Sequence, residues 1–215
     1  MSATQPAADT PWHDGELAAQ SRAGVAGRMA VIGPRNIRPF MPDQHRLFMA
    51  QLPFLIVGSV DAAGWPWASV LTGAPGFAAS PDSRTLDIAA QPVAGDPLAD
   101  ALRVGAALGL LGIELPTRRR NRLNGRVTAT RAGGFSMAVD QSFGNCPQYI
   151  QRRDYVALGS PRPAHLEPFT TLDRDARALI ERTDTLFVAS AARQVPDARH
   201  GVDVSHRGGR PGFIG

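Results

Sequence analysis

The chain reads as a mainly β protein built on a closed or partly closed antiparallel barrel, and three observations carry that expectation. Six short apolar or alternating segments lie between residues 54 and 139, separated by Gly, Pro and Asp turn signals. A doubly wound parallel sheet would need a helix between nearly every strand pair, and those helices are missing. With 22 Gly and 18 Pro in 215 residues, turns are frequent and long elements few.

The elements follow in order. Residues 1–14 are expected to be a disordered lead. Residues 16–32 are rich in Ala, with Leu17, Val25, Met29 and Ile32 at helical spacing and Gly33-Pro34 as a stop, which predicts a helix. Pro42-Asp43 opens a shorter helix with Leu47, Phe48 and Leu52 on one face, ended by Pro53. Residues 54–60 and 65–72 form a strand pair around the turn Asp61-Ala62-Ala63-Gly64, and 85–89 follow a Pro81-Asp82-Ser83 turn as a third strand. Asp96-Pro97 pairs an N-cap with Pro at the first helical position, predicting a helix to about residue 104. Strands at 106–115, 122–131 and 135–139 complete the set, with Gly133-Gly134 turning the last hairpin. The turn Gly144-Asn145-Cys146-Pro147 is expected to cap a short helix over 147–152.

A second unit then begins. Asp173 caps a predicted helix to Arg182, an apolar strand spans 185–191, a loop covers 192–200, and another strand lies near 202–207. Residues 68–77 match residues 204–213 at a constant offset of 136. Five of the ten positions are identical: Ser69/Ser205, Gly73/Gly209, Pro75/Pro211, Gly76/Gly212 and Phe77/Phe213. This is an internal repeat whose second copy stops after two strands. Two strands do not close a barrel, so an unpaired edge is expected there. The organisation expected is therefore a lead (1–14), one barrel module (15–165) and an incomplete second module (173–215).

Composition narrows the function. All 23 basic residues are Arg, which gives a pI of 10.4 at a net charge of only +4. An anion-binding surface and a plain compositional bias both fit that balance, and no aromatic residues interleave the dense run Arg118-Arg119-Arg120-Asn121-Arg122 as a single-strand binder would need. A nucleic-acid partner is not expected. One cysteine, Cys146, excludes an intramolecular disulfide and a multi-cysteine metal site. The five His residues show no metal-ligand spacing. The N-terminus lacks the apolar core of a signal peptide. The most apolar stretch, 104–115, falls far short of the roughly 20 residues that span a bilayer. The expected compartment is the cytoplasm, without a membrane partner.

Four segments carry a family resemblance. Residues 52–61 with 64–70 (Gly64-Trp65-Pro66-Trp67-Ala68-Ser69-Val70) resemble the opening hairpin of the pyridoxamine 5′-phosphate oxidase-like family. Arg122-Leu123-Asn124-Gly125-Arg126-Val127 resembles a later barrel strand of that family. Residues 142–150 and 201–209 are similar to a bacterial subgroup with two tandem modules. The resemblance implies a six-stranded split β-barrel with short flanking helices plus the start of a second barrel. It further implies flavin mononucleotide (FMN) at the seam between barrels and flavin-dependent redox chemistry. The implied partners are a small-molecule substrate or nicotinamide nucleotide. The tandem relatives continue through a full second barrel, so a fragment, a truncated gene product and a homodimer that completes the seam all fit, and a homodimer is expected.

An FMN site needs cations and hydroxyls for phosphate, and backbone amides and apolar surface for the ring. Ser205, His206, Arg207, Gly208 and Gly209 offer that chemistry: a hydroxyl donor, a bidentate cation and glycines that admit close backbone approach. They also fit a solvated, Gly-rich strand end. In the first copy, Val70 and Leu71 stand where His206 and Arg207 stand in the second, which leaves Ser69 and Thr72 as hydroxyls able to line a seam. Trp65 and Trp67 fit barrel packing or a stacking platform. The Arg118–Arg122 run fits a phosphate contact or a solvated face. Arg126 alternates with Val127 and is expected on the opposite face. Cys146 has no base beside it in the sequence and reads as structural or as flavin wall. No hydrolytic constellation stands out, and catalytic side chains remain unassigned, since in flavin chemistry the cofactor does the redox work. A non-catalytic flavin-binding or interaction module is the alternative.

Overall fold

The computed structural model describes residues 10–156, 167, 169–192 and 201–214. Two helices, α1 (Asp14–Arg22) and α2 (Ala26–Asn36), lead to α3 (Asp43–Gln51). Then come β1 (Phe54–Val60), β2 (Pro66–Thr72), β3 (Ala78–Asp82), β4 (Thr85–Ile88) and the one-turn α4 (Leu98–Ala101). The strands β5 (Ala107–Glu114), β6 (Arg119–Arg131) and β7 (Gly134–Gly144) follow, and α5 (Arg174–Arg182), β8 (Thr185–Ala191) and β9 (Val202–Gly208) end the order. Strands β1 to β7 form one sheet in the order β2-β1-β5-β6-β7-β4-β3, antiparallel throughout. Leu71 on one edge strand and Ala78 on the other belong to a single core with Phe48 and Met49 of α3. The sheet thus curls round one interior and stays open between β2 and β3, which makes it a split barrel of the mainly β class. No helix among the described residues is long and apolar enough to cross a membrane.

Several boundaries differ from expectation for identifiable reasons. The first predicted helix is two, broken where Gly24 takes φ 67°, and α2 runs through the expected Gly33-Pro34 stop. Pro34 lies near the end of α2, where it forfeits only its own backbone donor bond. The sheet has seven strands, not six. Strand β3 escapes sequence reading because it contains Ser80-Pro81-Asp82, and an edge position tolerates that Pro. Helix α4 is half the predicted length, with Asp96 Oδ1 accepting from the Leu98 amide. Residues 147–152 form no helix; Tyr149 takes φ 65° instead. Residues 1–9 of the expected lead, 193–200 of the loop, and Gly215 lie outside the described residues.

Strand β1 shows why its sequence is a continuous apolar run. Leu55 and Val57 face the barrel interior, whereas Ile56 forms a second cluster on the outer face with Leu111 and Val204, flanked by Phe54 and Phe187. The hairpin β8–β9 lies on that outer face, so β1 and β5 are buried on both sides. Each large aliphatic side chain buried there contributes about 1.5–3 kcal/mol. Gly58 and Gly109 are cross-strand partners, and both sit under β9. A Cβ on Gly109 would stand 2.5 Å from the Val202 carbonyl oxygen and 2.8 Å from the Asp203 Cα. These two glycines set the approach of the hairpin.

The two α-β-β units share their registers. Helix α3 and helix α5 each have nine residues, and β1–β2 and β8–β9 each make seven antiparallel pairs, from Phe54↔Thr72 and Thr185↔Gly208 onward. The turn after each hairpin repeats as well. Gly76 and Gly212 both take positive φ, at 97° and 85°. Phe77 folds over Gly73 as Phe213 folds over Gly209. The Gly73 amide donates to Pro53 O and the Gly209 amide to Asp184 O.

Gly109→Val is expected to lift β8–β9 off the sheet at a cost of about 1–3 kcal/mol. Amide exchange should then rise across 185–208 while β5–β7 keep their protection; unchanged protection in β8 and β9 would contradict this role for Gly109.

Candidate functional site

The seam forms where β9 passes beside β6. Along β6 the side chains alternate: Leu123, Gly125 and Val127 point into the core, whereas Arg120, Arg122 and Asn124 point outward. Arg122 Nη1 meets Asp203 Oδ2 at 2.5 Å, and its Nη2 donates to Ser205 Oγ at 2.6 Å. Arg120 Nη1 lies 3.1 Å from His206 Nδ1, while its Nε donates to the Cys146 carbonyl oxygen at 2.9 Å. The edge of the Phe187 ring packs against His206, with ring centroids 5.8 Å apart.

Burial governs the titration of this layer. His206 is only 3% exposed, and desolvation, aided by the Arg120 and Arg207 charges, drops its pKa to about 4. Burial raises the Asp203 carboxyl despite the adjacent Arg122. Burial also lowers the Arg120 and Arg122 guanidiniums, and Arg207 adds repulsion to each. The layer therefore couples three guanidiniums to one carboxylate. Among the described residues, Arg122 Nε, His206 Nε2, Asn124 Oδ1 and Asp203 Oδ1 are buried without a hydrogen-bond partner.

The expected site residues divide. Ser205 and His206 are in the seam, buried and engaged by Arg122 and Arg120. Arg207 is exposed, with Nη1 donating to the His206 carbonyl oxygen at 3.2 Å. Gly208 admits the Tyr149 carbonyl and Gly209 admits the Phe213 ring, so both serve close approach of the chain itself. Ser69 lies elsewhere: its Oγ donates to Asp96 Oδ1 at 2.6 Å. Thr72, three residues on, points to the other side of β2 and is exposed.

Arg120 and Arg122, weighed in the sequence as a phosphate contact or a solvated face, join the site, and Asn124 and Asp203 join it without having been expected there. The signal of the β6 residues is the alternation of polar side chains with Leu123 and Gly125. The run is not a uniformly solvated face, since Arg119 lies 5.0 Å over the Phe48 ring and Arg122 5.8 Å over Phe143. Arg126 does face away from Val127, pairing with Asp140 at 3.6 Å. Trp65 and Trp67 are not barrel packing. They sit at the hairpin end, 68% and 44% exposed, and Trp67 Nε1 donates to Asp61 Oδ2 at 2.8 Å. Cys146 is exposed and contributes its carbonyl rather than its thiol.

Two cavities flank the layer. One of about 480 Å³, within the range of small-molecule pockets, is lined by Trp12, Arg122, Asn124, Asp140, Phe143 and Asp203 among others. The second, about 280 Å³, lies beside Arg118, Arg119, Arg120, His45 and Asn145. His45 Nδ1 is 2.8 Å from Ser142 Oγ, and burial followed by the Arg38 charge keeps its pKa low. Among the described residues no group of three His, Cys, Asp or Glu is placed to hold a metal.

The fold and seam together define a split-barrel-like protein with a cationic groove between two unequal units. No family model matches the chain, and no curated protein matches it. Among solved structures, a crystal structure of a tagged HupZ variant from Group A Streptococcus is similar at a TM-score of 0.37 and 13% identity. The match covers 49% of this chain and 99% of that one.

Arg122→Leu is expected to destabilise the protein by about 2 kcal/mol, less than the 3–5 kcal/mol of a fully buried pair, by leaving Asp203 unpaired. Denaturant unfolding checks this, and adding Asp203→Leu should recover most of the loss. The histidine gives a pH signature. An unfolded His titrates near 6.5, so between 6.5 and about 4 the unfolded chain binds a proton that folded His206 refuses. Its contribution is full above 6.5 and lost as pH falls through that window. Asp203, with a raised pKa, acts in the opposite sense, its contribution falling as pH rises above 3.8. The difference between wild type and His206→Gln in Tm against pH isolates the histidine; parallel curves would refute it.

Proposed function

We propose that the β6–β9 seam binds FMN and that the chain is a flavin-dependent oxidoreductase of the pyridoxamine 5′-phosphate oxidase-like class. The observation that carries this reading is the charge imbalance at the seam: half-buried Arg120 and Arg122 and the exposed Arg207 repel one another, with the Asp203 carboxylate set against Arg122. A dianionic phosphate offsets that excess, and guanidiniums bind it bidentately. The unpartnered Arg122 Nε and His206 Nε2 fit an acceptor-rich ligand, the latter when protonated or in the Nε2–H tautomer. Arg207 is the exposed cation, available without breaking an internal pair. Trp12 and Phe143, in the larger cavity, supply aromatic surface for a planar ring.

Bound flavin supplies the electron- and hydride-accepting chemistry; the chain's residues grip the phosphate, exclude water and position the ring. The partners that follow are a small-molecule substrate or a nicotinamide nucleotide, with two copies of the chain as the working assembly.

Titration with FMN, followed by flavin absorbance and fluorescence, tests the reading. Arg207→Ala should weaken binding at least about tenfold by removing a charged hydrogen bond, while leaving the fold intact. Riboflavin, which lacks the phosphate, should bind more weakly than FMN. Equal binding of both, or of neither, counts against the proposal. Bleaching of bound FMN by reduced nicotinamide would separate an oxidoreductase from a passive flavin carrier.

A further inference from the structure

The second cavity, of about 280 Å³, gathers positive charge without a counter-charge. Arg118, Arg119 and Arg120 line it together with Gln44 and His45 of α3, and no Asp or Glu is among its described lining residues. Further along β6 the cations are neutralised: Arg122, Arg126 and Arg131 each meet an Asp carboxylate. Among the described residues, Arg118, Arg119 and Arg120 form no such ion pair. Glu114, the cross-strand partner of Arg119, gives its two carboxylate oxygens to Gln51 and Thr117 instead.

The donors around this cavity are held in place. Arg119 is fixed over the Phe48 ring at 5.0 Å, and Arg120 by the bond of its Nε to the Cys146 carbonyl oxygen at 2.9 Å. Arg118 takes φ 56° in the turn before β6, a left-handed conformation that Gly or Asn adopts at lower cost. The turn alone does not call for a guanidinium. His45 is 8% exposed, and its Nδ1 lies 2.8 Å from the Oγ of fully buried Ser142. That hydroxyl is satisfied by donating to Nδ1, which leaves Nε2–H as a further donor. Burial, followed by the Arg38 charge, keeps the ring neutral at neutral pH. Gln44 and His45 belong to the first turn of α3, which has no side-chain cap and whose Asp43 is paired with Arg46. The positive end of that helix dipole adds to the field.

We propose that this cavity is an oxyanion site for a small phosphomonoester, distinct from the flavin seam. Three guanidiniums and an imidazole donor exceed what one carboxylate can accept, whereas a phosphate dianion brings three acceptor oxygens and two charges. The volume lies at the lower end of small-molecule pockets, which selects a small ester. Arg120 is the one charged side chain that reaches both places, through His206 in the seam and through the wall of this cavity.

Titration of the flavin-free full chain with inorganic phosphate and with methyl phosphate, read by amide NMR shifts, tests the proposal. Saturable shifts are expected at residues 44–45 and 117–121, and they should persist in Arg207→Ala. Arg118→Gln should weaken binding at least about tenfold by removing a charged hydrogen bond, with Tm unchanged because no ion pair is lost. Acetate at equal ionic strength should bind at least about tenfold more weakly than phosphate. Shifts confined to residues 203–208 and lost in Arg207→Ala overturn the proposal, since phosphate would then occupy the seam alone. So do shifts that never saturate, or acetate binding as tightly as phosphate. Tighter binding of a short oligonucleotide than of methyl phosphate also overturns it, making the run a nucleic-acid contact. A failure of FMN to bind the seam would leave this result unchanged, because no flavin is present.

Discussion

The rest of the structure depends on the backbone of β9 lying almost directly on the outer face of β1 and β5. That approach exists because Gly58 and Gly109 are cross-strand neighbours, so a patch of the sheet is bare of side chains beneath Val202 to Val204. Any Cβ there would push the hairpin outward. The Arg122 guanidinium would then no longer span Asp203 and Ser205, and Arg120 would lose His206. One packing constraint therefore fixes the geometry of a charged layer several residues away. The absence of two side chains does the work that elsewhere needs a specific contact.

The seam divides its labour between apolar and polar contacts. Ile56, Leu111, Val204 and Phe187 supply the favourable burial. The arginine layer adds little net stability, since desolvating two ions offsets most of their attraction. Its contribution is register: sliding β9 by one residue would place Val204 against Arg122 and turn Asp203 and Ser205 toward the sheet. The raised Asp203 pKa and the depressed His206 pKa mark the desolvation that this specificity entails.

Much of the fold was legible in the sequence because its signals are local. The apolar run at 54–60, the turn at Asp61–Gly64 and the repeat at 68–77 and 204–213 all have direct counterparts. Strand β3 was not legible, because an edge strand with Ser80-Pro81-Asp82 looks like a turn. The site was half legible. Ser205, His206 and Arg207 stand out by chemistry, but their partners Arg120 and Arg122 lie more than 80 residues away, within a run whose composition hides its alternation. Trp12 joins the cavity from a segment that reads as featureless lead. Such long-range pairings come from sheet register, which no local pattern encodes.

Comparison of the repeats explains why one copy builds a core and the other a site. At matched positions the first copy has Trp67, Ser69 and Leu71, and the second has Asp203, Ser205 and Arg207. The conserved hydroxyl serves both: Ser69 donates to Asp96 inside the barrel, and Ser205 accepts from Arg122 across the seam. Leu71 is fully buried, whereas Arg207 at the same register stays exposed. A guanidinium cannot take the place of Leu71 in a closed apolar interior without an unpaired buried charge. The face of β9 that carries Arg207 is therefore not a closed apolar wall like that of β2. The same hairpin geometry, with two side chains exchanged for charged ones, turns a core wall into a charged wall.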